Sequence, residues 1–475
     1  MTALLGRRAA AAIAAAVATA ASAMAMVLGT VAPAYAADAA SGDKGATAAG
    51  YHAPGYRHGL AAPRLVVCAK DAKSRVARLP AALRAVNEAL LRECAYDTVQ
   101  EAVDAVWRRG TTIYLLPGVY RAESVTIVGG AGPECVRCDL QLEGMGEGPE
   151  DVVFDGGRNR VFAIRAEYAN GLYLRNLTAQ RYSGTAVEVV WTDGFVLDRV
   201  TGRWNGSHGL AAVAVDHGVV ADCTATGNSG AGIATVPVSR VAGTRPAVEV
   251  RRCRSSGNLI GYAGGDSVYV HDNDFFGNAV GVAADGRAWQ SHGSFIANRV
   301  HGNNANPYRN VWSGRCAQPP QDRQRDLVCP TMAVPMGTGL LLAGGEQNTY
   351  AGNLIYDNWR AGATQYGYAR GNRWLGNLTG FDPAGNPAPN GLDFWWDQTG
   401  ERNCWQDNAS SWGRIRSTPP QLPDCAHPSA GGVGSNAWRT TAACAAYVPA
   451  TASTPNGSRP ANCPWLDEPA RPAPG

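Results

Sequence analysis

His271-Asp272-Asn273-Asp274-Phe275-Phe276-Gly277-Asn278 gathers an imidazole, two carboxylates and two carboxamides into one short run. That is the composition of a metal-binding loop, but its spacing is not confined to this place. Asn273 and Asn278 fit the frame N-x-x-x-x-N, which recurs at Asn298 and Asn303, Asn353 and Asn358, Asn372 and Asn377, and Asn403 and Asn408. Upstream the first position turns apolar or Cys while the second mostly stays Asn: Cys253 with Asn258, Cys223 with Asn228, Val200 with Asn205, then Leu177 with Tyr182. Successive first positions lie 23, 23, 30, 20, 25, 55, 19 and 31 residues apart. A period in the twenties with occasional insertions marks a solenoid. The run is therefore read mainly as one turn of a repeat, with His271, Asp272 and Asp274 unexplained by it.

Within a unit, Gly171-Leu172-Tyr173-Leu174-Arg175-Asn176-Leu177 and Gly194-Phe195-Val196-Leu197-Asp198-Arg199-Val200 alternate apolar and polar residues before a turn, and Gly recurs after the second Asn. This is strand patterning. Coils of this length with three short strands bury their inward side chains only by stacking, which implies an all-β, single-stranded parallel β-helix. Inward aliphatics at about 2 kcal/mol each do not offset an ordering cost of about 1 to 2 kcal/mol per residue. An inward amide left unpaired costs about 1 to 3 kcal/mol. Stacked on its counterpart about 4.8 Å away, it can donate and accept along a ladder. Cys223 and Cys253 share a ladder position in consecutive coils, where either a disulfide or a thiol stack is open.

A solenoid needs covered ends. Arg78 to Cys94 and Thr98 to Arg109 show helical apolar spacing, so residues 65–110 are expected to form an N-terminal helical cap. The run "YDTVQEAVDAVWRRGTTIYLLPGVYRAESVTI", with its Pro117-Gly118-Val119-Tyr120 turn, resembles the opening of pectin-lyase-like right-handed parallel β-helix proteins. Asn390 to Asn408 is similar to the last coils of secreted bacterial β-helix proteins of unassigned function. The resemblance spans Tyr96 to Trp412 and implies a right-handed solenoid over residues 111–412. In lyases and hydrolases of that fold it further implies a groove along one sheet, acting on a polysaccharide. Residues 304–338 interrupt the repeat, and a loop of that length suits the wall of a binding groove. Residues 413–475 are Pro-, Ala- and Ser-rich, and are expected to form a disulfide-tied tail against the last coil.

Residues 1–36 read as a secretory signal, with Arg7 and Arg8, an apolar run and Ala34-Tyr35-Ala36 as the cleavage site. An uncleaved anchor is the competing reading. Residues 37–64 read as a flexible segment. Twelve cysteines, all beyond the signal, fit a secreted, extracellular chain. Local loops suggest Cys68 with Cys94, Cys135 with Cys138, Cys316 with Cys329, Cys404 with Cys425 and Cys444 with Cys463. A zinc or redox role for Cys135 and Cys138 lacks a matching second pair. A net charge of +3 over 475 residues gives no reason to expect nucleic acid as a partner, nor a membrane once the signal is removed. A monomer is expected. The lysines are Lys44, Lys70 and Lys73, so no mechanism in the main body uses one.

The strands after each second Asn are the candidate groove floor, yet their outward positions are mostly Ala, Gly and Thr. Acids cluster where these strands turn: Asp193, Asp216 beside His217, Asp266, Asp285 and Glu346. Asp193 with Asp216, and Asp266 with Asp285, would lie one coil apart, a spacing that suits a glycosidase pair or a calcium site. Asp193-Gly194 and Asp285-Gly286 are also common turn dipeptides. His217 is a candidate general base. Trp289, Tyr308 and Trp312, with Arg309, are candidate sugar-binding residues in or beside the insertion. No motif of the polygalacturonase, epimerase or methylesterase relatives is present. Two functions stay open: a polysaccharide lyase or glycosidase, and a non-catalytic glycan-binding solenoid.

Overall fold

The computed structural model describes residues 52–59, 63–130, 134–238, 245–285, 292–432, 444 and 463–473, and of residues 284 and 285 the backbone alone. The expected signal over 1–36 lies outside them. The described chain winds as a β-helix in which every strand pair between coils is parallel. One coil shows the plan: strand Asp216–Ala221, a corner at Cys223, strand Thr224–Thr226, a corner at Asn228, and strand Ala231–Val236. The first two strands of each coil belong to a 21-stranded sheet, made continuous where Leu172–Gln180 and Asp193–Arg203 bend round the corner. The third strands form a separate 11-stranded sheet.

Alternation sets what faces in. Val248 and Val250 are buried while Glu249 and Arg251 are partly exposed, and the pattern repeats at Val268 and Val270. Interior rings lengthen toward the C-terminal end, where Phe295 stacks on Tyr350 at 4.9 Å and Tyr350 on Trp374 at 4.0 Å. Trp396, buried 5.3 Å from Trp405, fills the last coils.

The asparagine column is internal and hydrogen-bonded from coil to coil. Asn298 donates from its backbone N and from Nδ2 to Asn353 Oδ1 at 3.0 and 3.1 Å, and from Nδ2 to Val270 O at 2.9 Å. Its own Oδ1 accepts from Asn273 N at 3.1 Å and Nδ2 at 3.0 Å. Three columns exist where the sequence suggested two. The first runs through Asn273, Asn298, Asn353, Asn377 and Asn408, and the second through Asn205, Asn228, Asn258, Asn278, Asn303, Asn358 and Asn390. The third joins Asn348, Asn372 and Asn403. Asn372 was expected beneath Asn353 and is not; Asn377 is. Three-residue strands separate successive corners, so the same frame fits two neighbouring pairs of corners, and spacing alone cannot choose between them.

The five expected disulfides are all present, and Cys223 and Cys253 are buried free thiols that donate to backbone carbonyls. Helices Ala72–Val76, Ala81–Leu91 and Val99–Asp104 close the first coil, the last of them opened by a Thr98–Glu101 capping box. The flexible segment expected over 37–64 fails at residues 52–59, which are tied to the first sheet by the side chains of Gln141, Glu143 and Tyr114.

The 11-stranded sheet, here the third sheet because it holds the third strand of each coil, is covered across its middle coils rather than open. Its outward Ala211, Ala234, Ala263 and Leu341 pack with Tyr308, Val334 and Met336 of the insertion and Trp465 and Leu466 of the tail. The insertion therefore lies on the sheet instead of walling a groove, and part of the tail lies there instead of on the last coil. Small outward side chains make a flat apolar row that water would meet at a cost unless covered. Arg360 fastens the two covering pieces, donating to Met336 O at 2.8 Å and Asp467 O at 2.7 Å.

Candidate functional site

A cluster of titratable side chains stands at the corner before the first strand of each coil, on the side called here the first sheet. Asp193 and Asp216 are direct partners across the strand pair, one coil apart. Their strands begin at that corner, so both side chains stand at its rim. His217 follows with φ 49°, a left-handed turn conformation that aims the ring back across the coil. Its Nδ1 lies 2.5 Å from Asp193 Oδ1 and 3.5 Å from Asp216 Oδ2. Arg245 donates to Asp216 Oδ1 at 3.4 Å and contacts His217 Nε2. A guanidinium has only donors, and a carboxylate only acceptors. Donor and acceptor match at both contacts when Nδ1 donates to Asp193 and Nε2 accepts from Arg245. The ring of His52 stands edge-on to His217 at 5.7 Å.

Beside this cluster Tyr168 and Trp191 occupy the same corner of successive coils, with φ 51° and 48°. Their rings stack at 5.3 Å and 17°, and both are exposed, 48% and 42%. Trp191 is two residues upstream of Asp193. The sequence carried a usable signal for this pair, since Tyr168-Ala-Asn-Gly and Trp191-Thr-Asp-Gly align at one repeat interval. Arg245 had none, because it comes from a segment whose path the repeat does not set.

The other expected site residues fare differently. Asp266 is buried in a turn, and the pairing of Ala263 with Ala283 counts Asp285 on to Gly265, so the two acids are out of step by one residue. The side chain of Asp285 and all of Trp289 lie outside the described residues. Tyr308 is fully buried and hydrogen-bonded to Met332 O and Val334 N, which makes it core under the insertion and not a sugar platform. Arg309 pairs with Glu468 of the tail, and Trp312 is 40% exposed on the same short helix. Glu346 lies 3.8 Å from Arg370.

In the stretch His271–Asn278 the imidazole and carboxylates are taken up by neighbouring side chains. His271 bridges Glu249 at 2.9 Å and Asp272 at 2.7 Å. Asp274 meets His301 at 3.0 Å and Arg299 at 3.1 Å, which hold its carboxyl below the usual range despite the opposing effect of burial. Among the described residues one group could hold a metal, Asp193 with Asp216 and His217, its ligand atoms within 4.8 Å of one another. Calcium takes six to eight oxygens at about 2.3 to 2.6 Å. Two carboxylates, an imidazole nitrogen and an adjacent guanidinium do not fit it.

The family described as a right-handed β-helix region matches residues 185–378. Over those residues the chain is similar to that family, and its described strands wind as a parallel β-helix. No curated protein matches the sequence of this β-helix. Among solved structures, pectate lyase Pel9A is 12% identical with a TM-score of 0.39, covering 76% of this chain and 79% of its own. The mannuronan C-5 epimerase AlgE6 A-module of Azotobacter vinelandii is 19% identical with a TM-score of 0.35, covering 66% and 94%. PfbA, a surface adhesin of Streptococcus pneumoniae, is 11% identical with a TM-score of 0.38, covering 65% and 86%. Among the described residues of the β-helix, no helix is long and apolar enough to cross a membrane.

Proposed function

We propose that this β-helix is an exported protein that acts on an acidic polysaccharide at the Asp193–Asp216–His217–Arg245 corner. The observation that carries the reading is the contact of His217 Nε2 with Arg245, next to the exposed Tyr168–Trp191 stack. Arg245 has the chemistry to pair with the carboxylate of a uronate. Drawn to that carboxylate, it would release the Nε2 lone pair, and an imidazole is matched to proton removal near neutral pH. Asp193, on Nδ1, would steady the imidazolium so formed. The proton removed would be the one α to the uronate carboxylate; as the carbon–carbon double bond forms, the glycosidic C–O bond at the β carbon breaks and the imidazolium returns the proton to the departing oxygen. The aromatic stack offers a face for a neighbouring sugar.

The lyase branch suits this arrangement better than the glycosidase branch. Asp216 accepts from Arg245 and from the N–H of His217 at 2.7 Å, and Asp193 faces His217 Nδ1, so neither stands ready to protonate a leaving group. One observation favours a non-catalytic glycan binder instead: the Asp216 contact to the His217 N–H is also what a purely structural turn would make.

A panel of polygalacturonate, alginate and neutral glycans, followed by absorbance of unsaturated products and by reducing ends, separates these readings. Turnover of a uronate polymer that is lost in His217→Asn and Asp216→Ala, with folding intact by circular dichroism, is the expected result. Retention on a uronate column without turnover would support the binder. Turnover unchanged in both variants would overturn the assignment of this corner.

A further inference from the structure

Residues 52–59 lie against the outward face of the first sheet and cross several coils as they go. Gly59 O accepts from Tyr114 Oη at 2.6 Å in the first full coil. One coil on, Gln141 grips the backbone of Arg57 from both sides, accepting from its N–H at 3.0 Å and donating to its carbonyl at 3.2 Å. Tyr56 donates to Glu143 Oε1 at 2.5 Å, lies under the Arg175 guanidinium at 4.2 Å, and meets the ring of Tyr173 at 5.6 Å. His52 ends beside His217. The segment thus leads along the solenoid into the corner described above.

The face beneath it is polar and tightly paired. Gln141 and Glu143 are buried, and the Glu143–Arg175–Asp198 row, with Tyr173 donating to Asp198 at 3.1 Å, is an ordered set of charges and one phenol. Polar groups shut away from water this way are costly unless something engages them. What engages Glu143 and Arg175 here is a flat six-membered ring with a hydroxyl at its edge. A pyranose offers the same contacts, a face to a guanidinium or phenol and a hydroxyl to a carboxylate.

We propose that Gln141, Glu143, Tyr173 and Arg175 form a sugar subsite continuous with the His217 corner, and that the chain's own residues 52–59 occupy it as an internal competitor with Tyr56 in the place of a sugar ring. The proposal rests on the reading of the corner as a glycan site. A ligand that must displace the segment binds more weakly, with its dissociation constant divided by the fraction of molecules in which the face is clear. Weakening the segment therefore tightens binding.

The test uses the full chain, wild type and Tyr56→Ala, with oligogalacturonate and oligoalginate as probes. Affinity is read by calorimetry, and backbone protection by hydrogen exchange. The expected result is that one probe raises exchange across residues 52–59 while protecting the Asp193–His217 corner, and that Tyr56→Ala binds it about tenfold more tightly or better. If a probe protects the corner but leaves 52–59 unchanged and Tyr56→Ala binds no tighter, the segment is structural and this inference falls while the glycan site stands. If neither probe protects the corner in either chain, both fall.

Discussion

Glu123 shows how a single side chain in this fold sets a pH dependence. It sits half-buried at the start of helix Val99–Asp104, and burial raises its pKa from 4.5 to about 7, a rise only partly offset by the N–H of Val99 donating at 2.9 Å. A carboxyl that holds its proton more tightly folded than unfolded contributes stability below pH 4.5, lost as the pH climbs toward about 7. Glu123→Gln keeps the acceptor and removes the charge. Thermal unfolding should then show equal midpoints for wild type and variant near pH 4, with the variant higher at pH 8. A lower variant midpoint at pH 8 would mean that the charged cap on the helix outweighs the burial of its charge. The sequence did not expose this residue, since nothing in Glu123 itself says that a helix will end over it. Asp216 and His217 were legible because they sit in a repeat frame; Arg245 was not.

The strand and corner were the units the sequence described best. Alternation located the strands, and the recurring carboxamides located the corners, because an inward amide is tolerated only where another lies above and below it. Register was less secure: the choice between Asn372 and Asn377 needed the hydrogen bonds. The third sheet was misread for a related reason. Small outward residues describe a surface but not what rests on it, and the face read as an empty groove floor is the one that Tyr308 and Trp465 cover. The ladder makes its own prediction. Asn298→Ala removes the acceptor of the Asn273 N–H and of one Asn273 Nδ2 hydrogen, and takes one donor each from Val270 O and Asn353 Oδ1, a loss on the order of 2 to 5 kcal/mol. Asn159→Ala, at an exposed position, should change stability by less than about 0.5 kcal/mol. Chemical denaturation of the two variants checks this, and equal losses would remove the ladder from its structural role.

At the scale of the whole molecule, a solenoid coil contacts little beyond its two neighbours, so stability is a chain of nearest-neighbour terms and opening is easiest from the ends. The cross-links follow that logic. Cys68–Cys94 ties strand Arg64–Val67 to the cap helices, and Cys404–Cys425 ties the last coil to the segment that crosses it. Cys316–Cys329 lies in the insertion, and Cys444–Cys463 lies in the tail on the covered face. From strand Asp193–Arg203 to strand Arg299–His301 the coils themselves carry no disulfide among the described residues, and their two cysteines are free. Those coils depend on stacked side chains and on asparagines that a reductant leaves untouched. Hydrogen exchange at neutral pH with and without a thiol reductant should therefore show protection lost first at Arg64–Val67 and Cys404–Gln406, while Val248–Arg251 and Val268–His271 hold. Simultaneous loss at the ends and in the middle would mean that the coils open as one unit, with the covering of the third sheet and not the ends controlling the first step.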